Sequence, residues 1–337
     1  MATIVSTPTQ ERSSTRTGWP YLGKLAISAF GILLCLVTIK FFTEHLLAPR
    51  NMGLNGALVQ RNLDLLLIGS SHTRQSYDIR LLEKTTGLSA FALAYNGDDL
   101  KTMSQIIDYL VSRPDRCPRY IVVEAYSALL GRKPDLQDPR YFFDAPPALK
   151  MRIIRTYLSE HRRPSALLDV FDLVVNRGNE AIVTYPVNSL LLKRLAYRGG
   201  PTGIKTPGVS AEQFSHFTSD ATSGQPDPVQ LAALYRIIDI AEHHNISVIF
   251  IESPLPKPVS SDPKIQALKA DFREILEAHH LRYINGDLDF PNSDPSMFED
   301  NNHLSAAGRE KFTLDVSADL KTWIASLPKN RAAAISR

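Results

Sequence analysis

The chain has 337 residues, a formal net charge of +3 and two cysteines. That length can bury a sizeable core in one large domain or two smaller ones, and basic residues scattered among acids argue against nucleic acid as a partner. Cys35, inside an apolar run, and Cys117, before Pro118, exclude an intrachain disulfide framework and a cysteine zinc site, and no cofactor or metal is implied.

Residues 1–20, rich in Ser, Thr and Pro without apolar periodicity, read as a disordered tail. Leu25 to Ile39 carries no charge. As a helix it would be about 22 Å long, and a snorkelling Lys40 with Phe41 and Phe42 extends it toward a hydrocarbon core of about 30 Å. A transmembrane signal anchor over 21–47, embedded through Leu25 to Phe42, fits this pattern. A cleaved signal peptide is the competing reading, opposed by the long leader and the lack of a small-x-small site. Arg12, Arg16 and Lys24 precede the segment and Lys40 and Arg50 follow it, which puts the N-terminus in the cytoplasm. The expected location is the inner membrane, single-pass, with the folded part outside the cytoplasm.

Beyond a link at Leu46 to Asn62, strand and helix patterns alternate. Strands are predicted at Leu63–Ile68, Ala90–Tyr95 and Tyr120–Val123, with helices at Asp78–Thr85 and Leu100–Ser112 between them. The rhythm returns with a helix at Val229–His243 behind Asp227 and Pro228, a strand at Ser247–Ile251, a helix at Pro263–His279, a strand at Arg282–Ile284 and a helix from Ala306 to about Ala325. Such alternation predicts an α/β fold with a parallel sheet over residues 60–330. At about 126–225 proline pairs and aromatics break the rhythm around helical patches at Leu149–Leu158 and Ala166–Val175. This stretch reads as a mostly helical insertion, with a separate domain as the alternative.

Two short stretches carry chemistry. In "LLLIGSSHTRQS" (65–76) a buried strand runs into Gly69, Ser70, Ser71 and His72. Either Ser70 or Ser71 caps a following helix, or one of them is a nucleophile at the carboxyl end of a strand. In "FEDNNHLSAAGREKF" (298–312) Asp300 precedes His303 by three, after the last strand and on the same side of the sheet. A serine hydroxyl needs a base, and an imidazole serves when a carboxylate fixes its tautomer. Ser71, His303 and Asp300 are therefore the candidate catalytic residues. Taken singly, His303 reads as a helix-entry residue and Asp300 as an acid near a helix N-terminus.

These stretches resemble the first and last motif blocks of the SGNH/GDSL hydrolase superfamily, a resemblance that implies a three-layer, flavodoxin-like parallel sheet. "AYNGDD" (94–99) is similar to the second block, which implies Gly97 and Asn96, with the Ser71 backbone N–H, as binders of the oxyanion. The usual aspartate before the nucleophile is Ser70 here, and the third block is missing where the strand runs into "VVEAYSALLG". In both departures the chain resembles the membrane-anchored branch of teichoic-acid D-alanylation and exopolysaccharide O-acetylation. That branch implies an acyl-bearing glycan or small ester as substrate and a membrane acyltransferase as partner. His72 is a candidate for touching substrate, or a turn histidine in solvent. Glu124 ends the third strand and either faces the cleft or is simply solvated, while the pairs His243, His244 and His279, His280 read as helix-closing residues and "IESPLPKP" (251–258) as a loop shaping the cleft.

Three function classes follow. The leading one is an anchored serine esterase or acyltransferase acting on envelope glycan. A second is a non-catalytic scaffold docking on a polysaccharide-modifying complex. A nucleotide-sugar binder is disfavoured because the first strand lacks a G-x-G-x-x-G turn.

Overall fold

The computed structural model describes residues 19–46, 53–60, 62–113, 117–135, 138, 145–161, 163, 165–172, 196–201, 206–221 and 223–328. It divides into two units, 1–47 and 48–337. In the first, helix α1 spans Trp19–Leu46 and exposes Leu25, Ile27, Phe30, Ile32, Leu33 and Leu34. Among the described residues no helix is long and apolar enough to cross a membrane. The expected anchor over Leu25 to Phe42 falls partly on side chains outside them, at 36, 37 and 39–42, and the expected tail lies outside them as far as residue 18.

The second unit starts with α2 (Gly53–Val59), then β1 (Leu65–Gly69), α3 (Ser71–Ser76), α4 (Ile79–Thr86), β2 (Ala90–Ala94), α5 (Leu100–Val111) and β3 (Tyr120–Glu124). After β3 come α6 (Ser127–Leu130), α7 (Pro147–Glu160), α8 (Ser165–Phe171), a two-residue-strand hairpin of β4 (Ala196–Tyr197) and β5 (Gly200–Pro201), and α9 (Ala211–Ser215). The chain then completes the sheet through α10 (Pro228–His243), β6 (Ser247–Glu252), α11 (Lys257–Ser260), α12 (Pro263–Ala278), β7 (Arg282–Asn285) and the closing α13 (Ala306–Ser326). Strand order is β2-β1-β3-β6-β7, every pair parallel.

The sheet is parallel because its strands are short aliphatic runs, too buried for one wet face. Alternation along each strand sorts side chains into two cores. Leu66, Ile68, Phe91, Leu93, Ile121, Val123 and Phe250 face α2, α5, α10 and α12. Leu65, Leu67, Ala90, Ala92, Val122, Ile249 and Ile251 face α4 and α13. Three layers result. Helix starts are fixed by short polar caps: Asp78 for α4, Asp99 for α5, Asp227 with Pro228 for α10, Asp262 with Pro263 for α12 and Ser305 for α13. Gly87, at φ 76°, ends α4 in the left-handed conformation that favours glycine.

Differences from the sequence reading are local. A six-residue helix, α3, follows β1 directly and is capped by Ser70, ahead of the helix expected from Asp78. The patch at 166–175 is helical to Phe171, and its end, with 173–195, lies outside the described residues. The β4–β5 hairpin covers the outer edge of β2, with the Ala92 N–H donating to the Arg198 carbonyl at 2.8 Å and Arg198 paired to Glu83 at 2.6 Å.

Phe312, 2% exposed on α13, packs between Tyr77 and Phe290, ring centroids 5.5 and 6.3 Å away. Phe312→Ala should cost about 3–5 kcal/mol of stability by opening a cavity under the chain that follows α3. Chemical denaturation checks this, and a loss near zero would show that the closing helix is not packed as described.

Candidate active site

The first half of the site is a turn at the carboxyl end of β1. Ser70 has extended backbone and is the N-cap of α3, its Oγ accepting from the His72 N–H at 3.2 Å. Ser71 is then the first helical residue, where a backbone N–H has no intrahelical acceptor. The turn is held from the neighbouring strand by Glu124, 2% exposed. One Glu124 oxygen accepts from Ser70 Oγ at 2.6 Å; the other accepts from the Ser70 N–H at 2.7 Å, the Thr73 N–H at 3.0 Å and Thr73 Oγ1 at 2.6 Å. Gly69 is required for this, since a Cβ there would overlap both Thr73 Oγ1 and the Glu124 carboxylate.

The second half is a loop between Phe298 and Leu304, which pair across an antiparallel bridge and are 0% and 1% exposed. These apolar ends staple the loop, and the Glu299 N–H donates to the His303 carbonyl at 2.9 Å. Inside it Asp300 Oδ1 accepts from the backbone N–H groups of Asn302 (2.7 Å) and His303 (2.9 Å). The same carboxylate faces His303 Nδ1 at 2.8 and 3.0 Å, which selects the tautomer protonated at Nδ1. Nε2 is left to accept from Ser71 Oγ at 2.9 Å. Residues 232 positions apart thus form one line from hydroxyl to imidazole to carboxylate. Burial raises the Asp300 carboxyl, but the hydrogen bond and charge of His303 outweigh it and hold its pKa below the ordinary range.

His72 lies beside this line, 4% exposed, stacked on Tyr126 with centroids 4.0 Å apart and 5.3 Å from the His303 ring. Burial first, and the nearby His303 second, push its pKa from 6.5 down to about 3, so it is neutral near pH 7. Its buried Nδ1 has no hydrogen-bond partner among the described residues. Tyr126, whose hydroxyl donates to exposed Asp220 and lies 3.4 Å from Asn302 Oδ1, has its pKa raised by burial and by Asp220. Asn96 is exposed, and its backbone N–H donates to Asp138 at 2.6 Å. Gly97, at φ 64°, is held through its carbonyl by Arg132 Nη2 at 2.9 Å.

Ser71, His303, Asp300 and His72 are thus gathered at one place. The Asn96 backbone N–H is engaged by Asp138, while its side chain is exposed. Glu124 is corrected: it is buried and fully hydrogen-bonded, because β3 is a central strand and its end lies under the β1 turn. The signal was an acid directly after four buried-strand residues, a position where an ionised group must find partners. Tyr126, Asp220, Asn302 and Arg132 had no sequence signal. In the loop after β6, the Leu255 N–H donates to Asp287 at 2.8 Å, and buried Glu252 accepts from Ser127 Oγ at 2.8 Å and Tyr283 Oη at 2.7 Å and pairs with Lys269. His243 Nδ1 lies 2.9 Å from the Asp239 carbonyl and His279 3.6 Å from Glu242. Among the described residues no group of three or more His, Cys, Asp or Glu could hold a metal ion.

No family model and no curated protein matches the chain. Among solved structures it is similar to a chain named as a lipolytic protein of the G-D-S-L family from Desulfitobacterium hafniense, at 10% identity and TM-score 0.38, covering 76% of this chain and 99% of that one. It is also similar to a GDSL-like lipase from Bacteroides thetaiotaomicron, at 10% identity and TM-score 0.37 over 85% and 98% of the two chains. An acetyl xylan esterase from Butyrivibrio proteoclasticus aligns at 11% identity and TM-score 0.34 over 79% and 65%.

The buried, neutral His72 makes stability pH-dependent. Its folded pKa lies below the unfolded one, so between about 6.5 and about 3 the unfolded chain binds more protons and stability falls with pH. His72→Gln should therefore narrow the loss between pH 7 and about 4.5 by about 2 kcal/mol, read from urea unfolding at both. An unchanged acid limb would mean that the imidazole is protonated or wet in the folded chain.

Proposed function

We propose that this chain is a serine esterase or O-acyltransferase of the SGNH type. The observation that carries the reading is the line from Ser71 Oγ through His303 to Asp300. Ser71 Oγ attacks the acyl carbon as His303 Nε2 takes its proton, and Asp300 stabilises the resulting imidazolium. The Ser71 N–H, free at the first turn of α3, and the Gly97 backbone are the proposed oxyanion donors. The protonated His303 then gives its proton to the leaving alcohol, and an acyl-Ser71 remains. Water or a sugar hydroxyl, deprotonated by the same imidazole, releases the acyl group to complete hydrolysis or transfer. Neutral His72, stacked on Tyr126, stands beside the His303 ring.

The proposed substrate is an acylated cell-envelope polysaccharide met outside the cytoplasm, with the chain held by the apolar stretch of α1 and assisted by a membrane acyltransferase. This rests on the charge-free run Leu25 to Ile39 and on the resemblance of the Gly69-Ser70-Ser71 and Asp300 to His303 blocks. The scaffold reading keeps one observation in its favour, the missing third block where β3 runs into "VVEAYSALLG".

Ser71→Ala and His303→Ala should each lower kcat toward a simple acyl ester by on the order of 10⁴-fold or more, and the double variant scarcely further, because the two act as a unit. Asp300→Asn should cost less, losing tautomer and charge but not the ring. A fluorophosphonate should label Ser71 in the wild type alone. Unchanged turnover by Ser71→Ala would sink the enzyme reading and leave the scaffold.

Location is tested separately. A reporter active only outside the cytoplasm, fused after Arg337, should be active, whereas activity of a cytoplasmic reporter at the same point would reverse the orientation.

A further inference from the structure

We propose that Glu124 is the positioning residue for the nucleophile, fixing Ser71 Oγ at its distance from His303 without touching either. The inference rests on the acyl-serine reading. Glu124 is the last residue of β3, next to β1, so its side chain reaches the turn across one strand spacing. Its four hydrogen bonds go to Ser70 and Thr73, which bracket Ser71 at one residue before and two after. Three of them converge on one carboxylate oxygen and the fourth falls on the other, so both oxygens are tied to this turn. Among the described residues Glu124 has no hydrogen bond to an imidazole, which sets it apart from Asp300.

The bracket also accounts for the residue types around it. Gly69 lacks the Cβ that would collide with the carboxylate. Ser70 is the residue that can cap α3 through His72 while donating to Glu124. Thr73 supplies two donors from one position. Because the turn is tied to the sheet, the nucleophile inherits the rigidity of β3 and not the freedom of a surface loop. A displacement of about 1 Å at a reacting atom can cost about 100-fold in rate.

The test uses the full-length chain in detergent micelles with p-nitrophenyl acetate, kcat counted per folded molecule, and fluorophosphonate labelling of Ser71 as a second rate. Glu124→Ala should lower kcat and the labelling rate together by about 100-fold with KM within about twofold. Glu124→Gln can accept through its amide oxygen and donate to Ser70 Oγ, so it should restore kcat to within about tenfold of wild type. If Glu124→Ala does not fold, Thr73→Val, which keeps the shape and removes one donor, should still lower both rates. Wild-type kcat in folded Glu124→Ala or in Thr73→Val would overturn the proposal, as would Glu124→Gln no faster than Glu124→Ala. Ser71→Ala at the wild-type rate would instead overturn the acyl-serine reading itself.

Discussion

A carboxylate taken out of water must be met by donors, and the ends of this sheet are organised around meeting two of them. Glu124 at the end of β3 holds the exit turn of β1, and Glu252 at the end of β6 holds Ser127, in the exit loop of β3. Since β1, β3 and β6 lie side by side, each acid secures the loop of the strand next to it. The result is a stepped row of pinned loops along the carboxyl edge. Lys269, pinned between Glu252 and Asp287, neutralises the deeper of the two acids, whereas Glu124 is met by uncharged N–H and O–H groups alone.

What could be read from the sequence follows from which physical signals are local. The central strands and their helices were legible because apolar runs ended in short polar caps such as Asp78, Asp227 and Asp262. The Ser71, Asp300 and His303 grouping was legible because parallel topology gathers strand ends at one edge. The extent of helix α3 was not, since six residues of "SHTRQS" show no periodicity and its start depends on the His72 N–H donating to Ser70 Oγ. The burial of Glu124 was hidden for a different reason. It depends on β3 lying between β1 and β6, a property of sheet order that the local signal of an acid closing an apolar strand does not carry.

The two readings of the paired serines turn out to divide between them. Ser70 is the cap and Ser71 faces the base, so neither interpretation of "GSSH" displaced the other. One step further along, His72 shows what the same turn does to an ionisable group pulled inward. Its ring is wedged between Tyr126 and His303, and desolvation leaves it uncharged. Two imidazoles therefore stand together with His72 kept neutral.

The separation of nucleophile and base along the chain has a consequence for biogenesis. Ser71 is synthesised with the first strand of the sheet, whereas His303 arrives just ahead of α13, whose Phe312, Val316 and Leu320 must settle against the α4 side of the sheet to complete that core. Until the last helix docks, the serine has no partner to take its proton. On the proposed reading, a nascent chain carries its serine without its base until the final segment closes over the sheet.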